Sequence, residues 1–231
     1  MRPLRRPSYE LFLRIHQLLG VCALYAIWSH VRGSTVFAQY YSTGIVGCFG
    51  LGGLGQLFHI LLLNRLFYRG FPRARIIRVE HAVCLVVYTP TPLTICPGQY
   101  INVYLPGVSF WSFLQSHPFY VSFARPHGRG TRLELMIEPR RGWTSKLLMQ
   151  AQAQDLAEDE ALSSESYVSL FSGPHGQSIR VEDFGVVVLI ASGWGLMAQM
   201  PYLQALIHGF HNGTVKAQRV HLIWQLKTIG M

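Results

Sequence analysis

Two long apolar runs open the chain. Leu11 to Val31 is interrupted only by Arg14, His16, Gln17, Ser29 and His30, and Thr43 to Leu63 only by Gln56 and His59 as strongly polar residues. Each reaches the ~20 residues that a membrane-crossing helix needs. After Phe71 the pattern changes to short β-branched runs broken by turns. "RIIRVEHAVCLVVYTP" reads as a hairpin, and "PGQYINVYLP" as a strand entered from a Pro-Gly turn. "RLELMIEP" alternates like a half-buried strand, and "SYVSLFSGPHG" is a strand running into a tight turn. Five or six such strands predict a small antiparallel barrel. The acidic, polar "AQAQDLAEDEALSSES" interrupts it as a helix end followed by a solvated loop.

Near residue 185 the pattern changes again. "GVVVLIAS" is a continuous apolar run of the kind a parallel strand buried on both faces shows. A glycine turn and a helical pattern follow in "GWGLMAQMPYLQALIHGFHNG", and then a second strand in "RVHLIWQL". Strand, glycine turn, helix and strand make the opening of a nucleotide-binding βαβ unit, in which the glycines let the backbone approach a pyrophosphate. Gly193-x-Gly195 lacks the third glycine of that pattern, so a plain strand-to-helix turn remains open at this stage.

Composition supports a membrane part joined to a globular part. Half of the 231 residues are apolar, 13% are charged, and mean hydropathy is +0.24. Soluble domains carry about 25% charge, and disordered chains are far less apolar. The net charge of +9 comes from 17 arginines against 3 lysines. The basic residues flank apolar segments rather than interleaving with aromatics. That argues for membrane lipid and phosphate-bearing cofactors as partners, and against nucleic acid. Cys22, Cys48, Cys84 and Cys96 have neither metal-ligand spacing nor a disulfide framework. Arg2, Arg5 and Arg6 precede the first span, Arg32 stands alone between the spans, and Arg65, Arg69, Arg73, Arg75 and Arg78 follow the second. The positive-inside rule then predicts an outward loop from Arg32 to Ser42 and a cytosolic segment after residue 70.

His16 and His30 stand out in the first span. Fourteen residues of helix rise about 21 Å and return to within roughly 40° of the same face, so an imidazole lies near each membrane surface. Two haems stacked across the membrane could each take one axial ligand there. Interfacial histidines bonded to headgroups or neighbouring helices explain the spacing equally well. His59 reads as a packing or hydrogen-bonding residue, and Gly50, Gly52, Gly53 and Gly55 as sites of close helix packing.

In this order, "YELFLRIHQ", "PGQY", "QSHPF", "IEPRRGWTSKLL", "GPHG", "IASGWGLMAQMPYLQALIHG" and "RVHLIWQL" resemble the ferric reductase and NADPH oxidase superfamily, above all fungal ferric-chelate reductases. The resemblance covers nearly the whole chain. It implies two transmembrane α-helices, an antiparallel FAD-binding β-barrel of the ferredoxin-reductase type, and the start of an α/β NADP-binding domain. The expected boundaries are 1–70 (spans 11–31 and 43–63), 71–180 and 181–231.

The implied path runs from NADPH through FAD and haem b to an outer acceptor. His16 and His30 match the haem-iron histidines. His117, Pro118 and Phe119 match the flavin motif; Tyr120 stands where the family has Thr or Ser, and Ser122 is the alternative hydroxyl. Arg140, Arg141, Gly142, Trp143 and Thr144 match the segment that holds the FAD pyrophosphate. Gly173, Pro174 and Gly176 match the turn between the flavin and nucleotide domains. Gly193, Trp194 and Gly195 match the NADP loop, with Ala198 replacing its proline.

The resemblance thus implies an integral, plasma-membrane NADPH-dependent ferric-chelate reductase with its C-terminal part in the cytosol. A homo- or hetero-oligomer is compatible with it. A superoxide-generating oxidase, or an inactive shortened paralogue acting as a membrane interaction protein, are the alternatives. Set against the family pattern, the chain reads as truncated at both ends.

Overall fold

The computed structural model describes residues 9–62, 64, 70–108, 116–140, 142–158 and 166–226. The chain divides into two units, Met1–Leu62 and Leu63–Met231.

The first unit is a pair of helices, α1 (Tyr9–Val31) and α2 (Val36–Leu61). Within them, 20 and 26 residues are long and apolar enough to cross a membrane. Leu18, Leu19, Tyr25, Phe37, Leu51 and Leu54 are all more than 60% exposed, so nothing among the described residues buries these apolar helices. The link between the helices is tighter than the sequence suggests. Residues 36–42, expected in the loop, already belong to α2. Gln39 makes the short turn possible by donating from Nε2 to the carbonyls of Arg32 (2.8 Å) and Ser34 (3.1 Å). Trp28 Nε1 reaches Thr43 Oγ1 at 3.4 Å, with the Arg32 guanidinium 4.8 Å above the indole.

The second unit begins with two antiparallel sheets. Strands β1 (Arg73–Val79), β2 (Ala82–Thr89), β5 (Phe123–His127), β6 (Gly130–Ile137) and β7 (Tyr167–Val168) form one sheet in the order β5-β6-β2-β1-β7. Strands β3 (Tyr100–Tyr104), β4 (His117–Tyr120) and β8 (Leu170–His175) form the other in the order β4-β3-β8. The chain crosses between the sheets at Val121–Ser122 and again at Ser169. There Ser122 N–H donates to Glu134 O and Ser169 N–H to Pro72 O, each at 2.9 Å. The sheets enclose one core of Ile76, Leu85, Ile101, Val103, Leu133 and Leu135, closed by Trp143, Leu147 and Ala151 of α3 (Trp143–Glu158). These are the antiparallel strands that the alternating pattern predicts, eight among the described residues rather than five or six, and they form two sheets rather than a closed barrel. "SYVSLFSGPHG" is two strands, because Ser169 carries the chain from one sheet to the other.

The remainder is a βαβ unit: β9 (Val186–Ser192), a turn at Gly193–Gly195, α4 (Leu196–His211) and β10 (Arg219–Gln225), with β9 and β10 parallel. The expectation that β9 is buried on both faces is corrected. Val187, Leu189 and Ala191 are buried, and Tyr202 and Leu206 of α4 pack in the same cluster as the first two. Val186, Val188 and Ile190 remain at least half exposed, because among the described residues a helix covers one face alone. The two parts of this unit meet at Tyr202. Its hydroxyl accepts the Ile179 N–H at 3.2 Å and fills the space beside Gly98, whose φ of +82° only glycine adopts at low cost.

Candidate functional site

Strand β4 runs beside β3 with His117 opposite Val103 and Phe119 opposite Ile101, both buried. Alternation therefore turns His117 and Phe119 towards the core, and Pro118 and Tyr120 outward, where both are exposed. On the inner side His117 stacks on Trp143, with ring centroids 4.0 Å apart and planes 12° from parallel. Phe119 completes the layer, 6.0 Å from Trp143 and 6.5 Å from His117. Trp143 is the first residue of α3 and is 3% exposed. The two sequence motifs thus meet through stacked rings, a contact worth about 0.5–1.5 kcal/mol beyond area burial.

The start of α3 is shaped by Gly142, whose φ is +88°. Thr144 Oγ1 accepts the Arg140 N–H at 2.8 Å, and the Ser145 hydroxyl donates to Gly142 O at 2.7 Å. These bonds fix the approach to the helix and leave its first-turn N–H groups at the partly positive end of the dipole, where an anion binds. No acidic residue lies in that turn. Arg140 does not stand free beside it: Glu138 Oε2 accepts from its Nη2 at 2.7 Å and its Nε at 2.9 Å. Arg141 lies outside the described residues.

Ser122 is wholly buried, and its Oγ has no hydrogen-bond partner among the described residues. A buried hydroxyl left unpaired costs about 1–3 kcal/mol, so the position fits one that a bound group completes. Tyr120 is half exposed and belongs to an outer row that sequence reasoning missed. Tyr100 lies 6.1 Å from Tyr120 and 5.5 Å from His175. The Ser172 hydroxyl is 3.1 Å from His175 Nε2 and 3.3 Å from Asn102 Nδ2. The alternation of "YINVY" could have revealed Tyr100 and Asn102, but their partners on β4 and β8 come from pairing across the sheet.

Gly173 and Gly176 (φ +122° and +93°) shape the end of β8. Gln99 ties that turn to the Pro97–Gly98 turn, donating to Gly176 O at 3.4 Å and accepting the Cys96 N–H at 2.8 Å. Pro174 is half-buried within β8. Gly193, Trp194 and Gly195 stand on the other sheet, at the entry to α4. Gly193 has φ +52°, its carbonyl accepts from Trp224 Nε1 at 2.9 Å, and the first turn of α4 holds no acidic residue. His16 and His30 are exposed on α1, with Phe12 stacked 6.0 Å from His16.

Two antiparallel sheets around one core, capped by a glycine-entered helix and followed by a parallel βαβ unit, define the class. Residues 73–179 match the family of FAD-binding domains. Over 222 residues the chain is 27% identical to ferric/cupric reductase transmembrane component 2 of Saccharomyces cerevisiae, covering 95% of this chain and 28% of that protein. Ferric reductase transmembrane component 3 of the same organism is 27% identical over 195 residues, 83% of this chain and 25% of that one. The chain is similar to these ferric reductases and spans about a quarter of the length of these curated relatives. A ferredoxin NADP+ reductase from Neisseria gonorrhoeae, solved with FAD and NADP, aligns at a TM-score of 0.45 with 15% identity, over 66% of this chain and 56% of that one.

Proposed function

We propose that the chain carries electrons from NADPH by way of FAD towards ferric chelates across a membrane, as a ferric-chelate reductase polypeptide. The observation that carries this reading is the meeting of β4 with the glycine-entered start of α3, His117 against Trp143. When bound, FAD supplies the exchange between a two-electron hydride donor and one-electron acceptors.

The chain's own residues bind and orient. His117, Pro118 and Phe119 frame the ring site, with Tyr120 at its outer edge and Ser122 offering a hydroxyl. The N–H groups after Gly142, with Trp143 and Thr144, hold the pyrophosphate, joined by Arg140 and Arg141. Because exposed ion pairs contribute only about 0–1 kcal/mol, a phosphate can draw Arg140 away from Glu138. Gly173 and Pro174 shape the turn that leads to the NADPH-binding lobe. There Gly193, Trp194 and Gly195 present a backbone turn and a helix start to the nucleotide phosphates.

Haem fits these residues only in part. A bis-histidine haem b takes two axial imidazoles, while His16 and His30 supply one at each level of α1. His16 and His30 alone therefore complete neither site.

The arginines on the outer flanks of α1 and α2 support a cytosolic placement of both ends, and the plasma membrane suits an extracellular acceptor. Two measurements test the reading. Purified chain binds FAD, and His117→Ala or Trp143→Ala lowers flavin content per folded molecule; a chain that takes up no flavin refutes it. A glycosylation tag fused after residue 231 stays unmodified, and its modification reverses the topology.

A further inference from the structure

The outward face of the five-stranded sheet carries a cluster of arginines. Register puts Arg73, Tyr88, Arg132 and Arg125 in one row across β1, β2, β6 and β5, and Arg75, Val86, Glu134 and Phe123 in the next. His127 follows on β5, 5.0 Å from the Tyr88 ring. Arg73, Arg75, Arg125 and His127 are exposed, and the Arg132 side chain is 40% exposed. The one carboxylate on these strands' outward positions, Glu134, is already engaged by Arg132 Nη2 at 3.0 Å. Arg125 and Arg132 face each other directly, an arrangement that like charges disfavour unless an anion lies over them. Exposed Ile77, Val79 and Val168 border the arginines on the same sheet, adding aliphatic surface at their edge.

We propose that this face docks on an anionic lipid surface. The inference rests on the reading that α1 and α2 cross a membrane. Arg73 follows the end of α2 by about a dozen residues, a tether of at most ~40 Å, so the sheet never leaves the neighbourhood of the headgroups. Cations beside aliphatic and aromatic side chains suit a headgroup boundary, where the charges meet phosphate and the apolar groups meet the acyl edge. An acidic protein is the competing partner, and the tether favours the surface that is always present.

The test uses the full chain in lipid discs of phosphatidylcholine, with and without phosphatidylserine. Trypsin cleavage after exposed Arg129, in the turn between β5 and β6, is measured by mass spectrometry against cleavage after exposed Lys216 in the βαβ unit. The expected result is cleavage slowed about tenfold or more by phosphatidylserine, since each arginine near such a surface adds several-fold to docking. Salt near 1 M, where screening falls to about 3 Å, restores cleavage. Arg73→Gln/Arg75→Gln, which leaves the Arg129 cleavage point intact, loses most of the protection. The milder single variant Arg73→Gln loses part of it and guards against a folding artefact. An unchanged ratio in the two discs overturns the proposal. Equal protection by soluble poly-glutamate in neutral discs assigns the face to an acidic protein and overturns it as well. A chain stripped from membranes by carbonate overturns the spanning reading and this proposal with it. A carbonate-resistant chain without lipid-dependent protection refutes the docking alone.

Discussion

Gly142 and Gly193 carry the same kind of backbone demand in two different parts of the chain, which makes them a matched pair. Gly142 has φ +88° and Gly193 has φ +52°. A Cβ at a left-handed position costs roughly 1–2 kcal/mol, less near +55° and more beyond it. Alanine is thus strained at both sites, more at Gly142 than at Gly193, and no atom lies within 4 Å of a Cβ at Gly193. The consequences differ in what the strain can move. If the backbone at 142 relaxes, the 2.8 Å bond from Arg140 N–H to Thr144 Oγ1 and the 2.7 Å bond to Gly142 O are at risk. Those bonds aim the first turn of α3. A loss of about 1.4 kcal/mol in phosphate contacts is a tenfold rise in Kd for FAD. Gly142→Ala is therefore expected to weaken FAD about tenfold. Gly193→Ala is expected to change it less than about threefold, since its relaxation disturbs only the Trp224 contact and the entry to α4. Flavin titration of detergent-purified chain, with folding checked by protease resistance, reads both. If Gly193→Ala releases FAD as readily as Gly142→Ala, the assignment of the two turns to different ligands is wrong.

Three further outcomes follow from single contacts. Glu138→Gln frees Arg140 from its 2.7 Å partner and should tighten FAD by about two- to fivefold, most at low salt; unchanged titration curves count against Arg140 as a phosphate ligand. Burial, with Glu134 adding and Arg132 partly offsetting, pushes the Cys84 thiol up to about 11, so its thiolate is about a hundredfold scarcer at pH 8 than that of an ordinary thiol. Iodoacetamide should modify exposed Cys96 long before Cys84, and mass spectrometry showing equal rates contradicts this. Gly98→Ala should destabilise the chain through overlap with the Tyr202 hydroxyl and Tyr202→Phe through the lost Ile179 bond, yet the double variant should cost about 1 kcal/mol less than the sum; additive unfolding free energies would mean the two do not touch.

Much of this architecture is legible in local pattern. The hairpin of β1 and β2 turns at Glu80 and His81, where a polar pair divides two β-branched runs, and Glu80 takes the positive φ of a tight turn (+50°). β6 shows the alternation that "RLELMIEP" announces. The strand, glycine turn and helix at 186–211 follow their pattern as well. What escaped depends on contacts between distant residues. Nothing in "RRGWT" says that Trp143 is buried against His117 rather than lying on a solvated basic flank, because the stacking partner is on a strand 26 positions earlier. Nor does the segment disclose that Arg140 is held by Glu138, since an arginine beside a glycine-entered helix reads equally as a free phosphate ligand.

Strand β9 shows why apolarity and coverage are separate properties. "VVVLIA" permits burial on either face, and the sequence alone carries no mark of which face a helix will take. α4 settles it through Tyr202 and Leu206, which pack with Val187 and Leu189. The helix starts directly after the Gly193–Gly195 turn, so the turn proposed to meet the nucleotide phosphates also decides which side of the strand is closed. Tyr202, the same residue that closes that side, reaches Ile179 and Gly98 at the flavin-binding half. One aromatic side chain thus couples the packing of the nucleotide lobe to the loop beside the flavin-site sheet. A change in α4 should therefore be felt at the Pro97–Gly98 turn before it is felt at His117, which is anchored independently by Trp143.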